Sequence, residues 1–324
     1  MITPLCALAL FSALPLVGLA MAARDEQAWL DVVSSNELQL APSLAEDSPL
    51  PVATVTLDRE GLAVEGEPLL SWEWRQTEDG APWPTVPAGA LEGQLIVPLF
   101  EALLDGDEDR HALAVLTQDP SLSDRPPMLL LVDRTLPFQL LHPVLYTASR
   151  ARFGVFHLAV DNPWLERTTT VRATQWAEGA PQVYDPDLPL PCQQQLVLSV
   201  TLGTAGIDIL NVDAVVFPEE AFPEGRRAGA LAVPCGAEPC LAVEDFDWVE
   251  YSRLLSEIKF EYIDHLVIIV APEPEVAFEV LVRAMDHARW GPHLPLGATH
   301  EAWQAWRAQR GLLFPFDVID LGAE

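Results

Sequence analysis

Four groups of residues have types and spacings that suit chemistry. Cys235 and Cys240 enclose Gly-Ala-Glu-Pro, and Cys192 lies upstream. A C-x4-C pair suits a metal knuckle or a disulfide. No second Cys/His pair lies nearby, which favours oxidation. A Cys235–Cys240 bridge closing a short loop is the first expectation; Cys192 paired with either of the other two is the alternative. Asp286, His287, His293 and His300 form the second group. His287 and His293 share no obvious helical face and Pro292 intervenes, so the expectation is a solvated helix end and no metal. The third group is acidic. The run Asp105-Gly106-Asp107-Glu108-Asp109 lacks EF-hand spacing and reads as a solvated loop. Asp133 follows a strand, where catalytic carboxylates often sit, but its counterpart later in the chain reads as Ala271. The fourth group is Trp72-Glu73-Trp74 with Trp83, which suits a sugar-stacking or partner surface, or simply packing. Neither G-x-S-x-G nor a Walker loop is present, and no serine stands out as a nucleophile. The expectation is a protein that is not an enzyme and that carries no cofactor.

The elements that must position these groups fall into two similar series. In the first, Thr54–Leu57 alternates as a strand, Asp58-Arg59-Glu60-Gly61 turns, and Leu62–Val64 returns. Residues 95–104 have helical apolar spacing. Met128–Val132 reads as a buried strand, and Phe138–Ala151 as an amphipathic helix with Pro143 near its first turn. Val155–Val160 closes the series. After a proline-rich stretch the order recurs: strand 196–202, turn Gly203-Thr204-Ala205-Gly206, strand 207–210, helix 248–262, strand 266–270, helix 276–289 and strand 316–321. Both halves therefore read β-β-α-β-α-β, an α/β (α+β) fold built from two repeated small domains. Leu131-Val132-Asp133 and Pro137-Phe138 parallel Ile269-Val270-Ala271 and Ala277-Phe278. Ala151-Arg152-Phe153-Gly154 parallels Ala288-Arg289-Trp290-Gly291, at a different offset. The expected organisation is an apolar segment at 1–23, a linker at 24–51, a module at 52–160, a proline-rich linker at 161–195 and a second module at 196–324.

The chain has 324 residues, with 48 Asp+Glu against 18 Lys+Arg and a formal net charge of -30. Such a charge repels phosphate backbones and excludes nucleic acid as a partner. Half of the residues are hydrophobic, which is enough for packed cores and argues against an acidic disordered chain. Ile2–Ala23 carries no charge, and the first charged residue is Arg24. A stretch of that length can span a bilayer, which needs about 20 residues. It also suits a cleaved export signal, because Ala20-Met21-Ala22 is an A-x-A site.

The strand-turn-strand Val55–Pro68 resembles the start of the periplasmic domain of the ExbD/TolR biopolymer-transport family. The family's later signature is a strand, an Asp, then an aromatic helix entry carrying V-M-D. It is resembled in two pieces, Leu130-Leu131-Val132-Asp133-Arg134-Thr135-Leu136-Pro137-Phe138 and Phe278–Asp286. The family's membrane entry, roughly I-T-P-L-[IV]-D, resembles Ile2-Thr3-Pro4-Leu5-Cys6-Ala7. The resemblance implies a retained transmembrane helix over 1–23, a single pass of the inner membrane and a C-terminal part in the periplasm. It implies a subunit of an energy-transduction complex for protein transport. The implied partners are an ExbB/TolQ-like membrane protein, a second copy in a homodimer, and peptidoglycan or a TonB-like protein. One departure matters: the family's proton-binding Asp falls at Ala7. A carboxylate in the bilayer is costly and kept for proton traffic. Alanine binds no proton, so the resemblance implies an accessory role. Without it, the residues suit an exported periplasmic or cell-wall-associated binding module with no motor activity.

Overall fold

The computed structural model describes residues 38–43, 53–76, 82–105, 126–162, 167–175, 198–211, 230–236, 239–261, 267–290 and 316–319. The chain is mixed α/β. In chain order the strands are β1 (Ala41–Pro42), β2 (Ala53–Leu57), β3 (Gly61–Val64), β4 (Glu67–Ser71), β5 (Glu73–Gln76), β6 (Pro82–Thr85), β7 (Leu91–Glu92) and β8 (Leu95–Ile96). They are followed by β9 (Pro127–Val132), β10 (Val155–Asn162), β11 (Arg167–Gln175), β12 (Leu198–Gly203), β13 (Gly206–Asn211), β14 (Ala230–Pro234), β15 (Val267–Pro272) and β16 (Phe316–Ile319). The helices are α1 (Val97–Asp105), α2 (Phe138–Arg150), α3 (Trp248–Glu261) and α4 (Phe278–Trp290). Among the described residues no helix is long and apolar enough to cross a membrane; residues 1–37, with the apolar segment, lie outside them.

One 12-stranded sheet runs through the molecule in the order β14-β13-β12-β15-β16-β11-β10-β9-β2-β3-β4, with β1 beside β10. Read inward from either outer edge, the order of strands is the same. Each half places an antiparallel three-stranded meander outside two further strands that run parallel to its first. β11 joins the halves, antiparallel to β10 and parallel to β16, so β10 and β16 run in opposite directions. The halves are thus related by an approximate two-fold.

Both halves carry a third meander strand, β4 and β14, that the hydrophobic pattern does not reveal. Pro68 sits in β4 and Pro234 ends β14. Proline is tolerated there because both strands are edges. The turns before the middle strands, β3 and β13, need glycine. A Cβ on Gly61 would collide with the carbonyl oxygen of Leu70, and one on Gly206 with that of Val233. Gly206 also has a φ of 129°. Two stretches expected to be connectors carry strands. Arg167–Gln175, with its Thr-Thr-Thr-Val run, forms β11 at the centre of the sheet. β1 lies within the stretch from 24 to 51.

The sheet's alternation sorts the apolar side chains to two faces. Met128, Leu130 and Val132 of β9 join a large core with Phe156, Leu158 and Val160, and with residues from all four helices. Leu129 and Leu131 point the other way, into a small cluster with Leu38, Leu40 and Ala159. α1 buries Leu99 and Leu103, one turn apart. α2 passes through Pro143, its sixth residue and therefore beyond its first turn; that ring is buried in the core.

Candidate functional site

The most specific geometry lies where the two strand-to-helix loops meet. Phe138 N–H donates to Val276 O (2.8 Å), and Phe278 N–H donates to Leu136 O (2.8 Å). Gln139 N–H donates to Pro274 O (3.0 Å), and Glu279 N–H to Arg134 O (3.0 Å). The exchange is reciprocal and equates Phe138 with Phe278. Asp133 therefore matches Glu273. This corrects the sequence pairing of Asp133 with Ala271, which anchored both halves on the apolar part of the strand. β15 in fact continues through Ala271 and Pro272. Asp133 N–H donates to Leu57 O and Glu273 N–H to Leu202 O, the same bond in each half.

The carboxylates at these two positions hold loops together. Asp133 is buried and accepts from Thr135 N–H (3.0 Å) and Thr135 Oγ1–H (2.6 Å). Its other oxygen lies 3.6 Å from Arg59 Nε. Glu273 accepts from Thr204 N–H (3.0 Å) in the hairpin turn of its own half. Beside the loop contact, Arg134 Nε lies 3.8 Å from Glu279 Oε2. Burial raises the Glu279 pKa, opposed by Arg134 and Arg283 and reinforced by Glu244 and Asp133. These bonds use the strand-end carboxylates for turn closure, which is a structural role.

Cys235 and Cys240 are joined by a disulfide, with Cα atoms 5.8 Å apart. Cys192 lies outside the described residues. The disulfide loop grips the β12–β13 turn: Cys240 N–H donates to Thr204 O (2.8 Å) and Cys235 N–H to Ala205 O (3.4 Å). Asp245 closes the far side, accepting from Ala242 N–H (2.9 Å) and Leu241 N–H (3.0 Å). Those backbone donors, Ala242 first, hold its carboxyl below the usual range.

His287 is buried, not solvated, and stacks on Trp248 (5.4 Å, 13° between planes). Its Nδ1 lies 2.7 Å from Ser252 Oγ, and its buried Nε2 has no hydrogen-bond partner. Burial, and then the Arg283 charge, push its pKa down to about 3, so the ring is neutral. Ser252 is fully buried, which rules this Ser–His pair out as a nucleophile open to substrate. Asp286 is also fully buried and accepts from Ser43 Oγ–H (2.7 Å). The sequence gives no signal for this 243-residue contact, because Ser43 belongs to no motif. His293 and His300 lie outside the described residues. Among the described residues no group of three or more His, Cys, Asp and Glu is placed to hold a metal ion.

The tryptophans separate. Trp72 is buried, its Nε1–H bonded to Asp58 O (2.7 Å). Trp74 is 52% exposed on β5, and Trp83 is half-buried on β6. The two strands form a ribbon of their own, tied to α2 by Gln139 Nε2–H donating to Pro84 O (2.8 Å). Of the acidic run only Asp105, the last residue of α1, is described. Ile2, Thr3, Pro4, Leu5 and Ala7 lie outside the described residues. No family model, curated protein or solved structure matches the chain.

Proposed function

We propose that the protein is an ExbD/TolR-like subunit of an inner-membrane energy-transduction complex, with two fused periplasmic modules and an N-terminal membrane helix over 1–23. The observation that carries this reading is the recurrence of one element order, β-β-β-α-β-α-β, on both sides of β11, with β5–β8 inserted before the first helix of the first half. It gives each stretch with the family's sequence signature the same structural frame. The uncharged run Ile2–Ala23 supports the helix, and the Cys235–Cys240 bridge suits an oxidising compartment. Ala7 at the proton-binding position makes the subunit accessory; a partner supplies the carboxylate. An ExbB/TolQ-like protein would surround the helix. Peptidoglycan, a TonB-like protein or a second copy would meet the modules.

The second reading is an exported cell-wall-associated binding module. It draws on the exposed Trp74 and on the A-x-A site before Ala23. Intact mass of the chain extracted from membranes separates the two. A full-length mass, with an ExbB/TolQ-like protein co-purifying, supports the subunit. A mass beginning near Ala23, with retention on isolated sacculi, overturns it in favour of the binding module.

A further inference from the structure

Residues Leu38–Ser43 lie across both halves of the molecule. Leu38 and Leu40 cover Leu129, Leu131 and Ala159 on one face of the sheet. Between them, Gln39 O accepts from Arg134 N–H (2.7 Å). Ala41 turns into the main core, and Ala41–Pro42 pair in parallel with Val160–Asp161. Ser43 N–H donates to Asp161 O (3.0 Å), and its hydroxyl donates to Asp286 on α4 of the other half. β9 also runs parallel to β10 on that side, its pairing ending at Leu130 with Leu158. β1 continues beside β10 from Val160 and so sits in the crevice where β9 and β10 part.

We infer that Leu38–Ser43 is a latch, a short segment that opens as one unit while the sheet beneath it stays folded. Three features set it apart from its surroundings. It has only two ladder residues, whereas β10 pairs with β11 over eight positions. Pro42 withholds one backbone donor. Its hold on the second half includes one side-chain bond, Ser43 to Asp286. Closed, it fixes α4 against the edge of β10. Open, it uncovers Leu129, Leu131 and Ala159 on one face and the Asp286 carboxylate beyond β10. Displacement of the chain ahead of Leu38 is thereby passed to the second half. The latch does not depend on where residues 1–23 reside, so it stands or falls apart from the membrane reading.

Native-state hydrogen exchange on the full chain tests it. The amides of Ser43 and Arg134 report the latch bonds, and those of β12 and β13 report the remaining sheet. Ser43 and Arg134 are expected to exchange at matched rates, faster than the β12–β13 ladder. Ser43→Ala should speed both by about 10-fold to 100-fold and leave the ladder unchanged. A second variant, Ala41→Cys with Val160→Cys, joins two register partners by a disulfide and should slow both to the ladder rate. It keeps the test decisive if Ser43→Ala does not fold. Exchange of both amides at the ladder rate in the unaltered protein would overturn the latch. So would a Ser43→Ala effect confined to Ser43.

Discussion

The two hairpin turns solve one problem with different residues. In the first half, Asp58 lies within the turn, and its Oδ1 accepts from Glu60 N–H (2.8 Å) and Gly61 N–H (2.9 Å). In the second half Gly203 occupies the matching place and has no side chain. Glu273 reaches over from the next loop instead and accepts from Thr204 N–H. A Cβ on Gly203 would meet that carboxylate at 2.7 Å. Each turn thus has a carboxylate on its exposed backbone donors, and the position of the charge matters more than its source. Asp133, which matches Glu273, is free to close its own loop with Thr135. The second helices show the same economy. Thr147 of α2 accepts from Ile96 N–H (2.9 Å), just before α1, while the matching His287 of α4 contacts Ser252 on α3. The first bond ties α2 to the end of β8 and the second ties α4 to α3, and only the second uses a titratable ring.

That difference predicts the largest effect. The His287 ring has a pKa near 3 in the folded chain and near 6.5 when exposed. Between those values the unfolded chain binds a proton that the folded chain refuses. Stability contributed by the neutral ring is complete above pH 6.5 and is lost as pH falls towards 3. The loss is at most about 5 kcal/mol. His287→Thr, which copies the first half, should flatten denaturation midpoints across that window. A pH dependence identical to that of the parent would show that other groups control it.

The glycines come next. Gly206→Ala combines a backbone collision with a positive φ and should cost about 3 kcal/mol. Gly61→Ala meets a similar collision at an ordinary φ and should cost less. Equal losses in urea denaturation would show that the collision alone decides. The disulfide is found in one half only. Serine at Cys235 and Cys240 should cost about 2 kcal/mol, small because the closed loop is short. Thermal melts with and without reductant check it, since the double-serine variant should match the reduced parent.

The sequence exposed the parts of this architecture that have strong periods. β9 and α2 have an unbroken apolar run and a helical stripe, and their positions follow from those patterns alone. β4, β14 and β1 do not, because each is an edge or a wedge, short and carrying proline. β11 was hidden for another reason. Its own residues are mostly polar, and although β10 lies just before it in the chain, its other partner, Asp317–Ile319 of β16, lies far away in sequence. The disulfide was legible from cysteine spacing. His287 was not: a histidine beside an aspartate suggests solvent or metal, and only the fold shows Trp248 stacked on it. The match of Asp133 with Glu273 needed the reciprocal loop bonds, since the apolar residues on either side favour a register shifted by two.

The turn comparison can be sharpened by moving the carboxylate. Glu273→Ala leaves Thr204 N–H without its acceptor and should cost about 1 kcal/mol, the usual net worth of one hydrogen bond. It also removes the atoms that a side chain at residue 203 would strike. Adding Gly203→Asp then recreates the arrangement of Asp58 and should recover most of the loss. Gly203→Asp alone should destabilise, because the new carboxylate would crowd against that of Glu273 and repel it. The signs therefore reverse with the background, which simple additivity does not allow. If Gly203→Asp destabilises equally with and without Glu273, the two halves do not use interchangeable carboxylates. The resemblance between their turns would then be one of backbone shape alone.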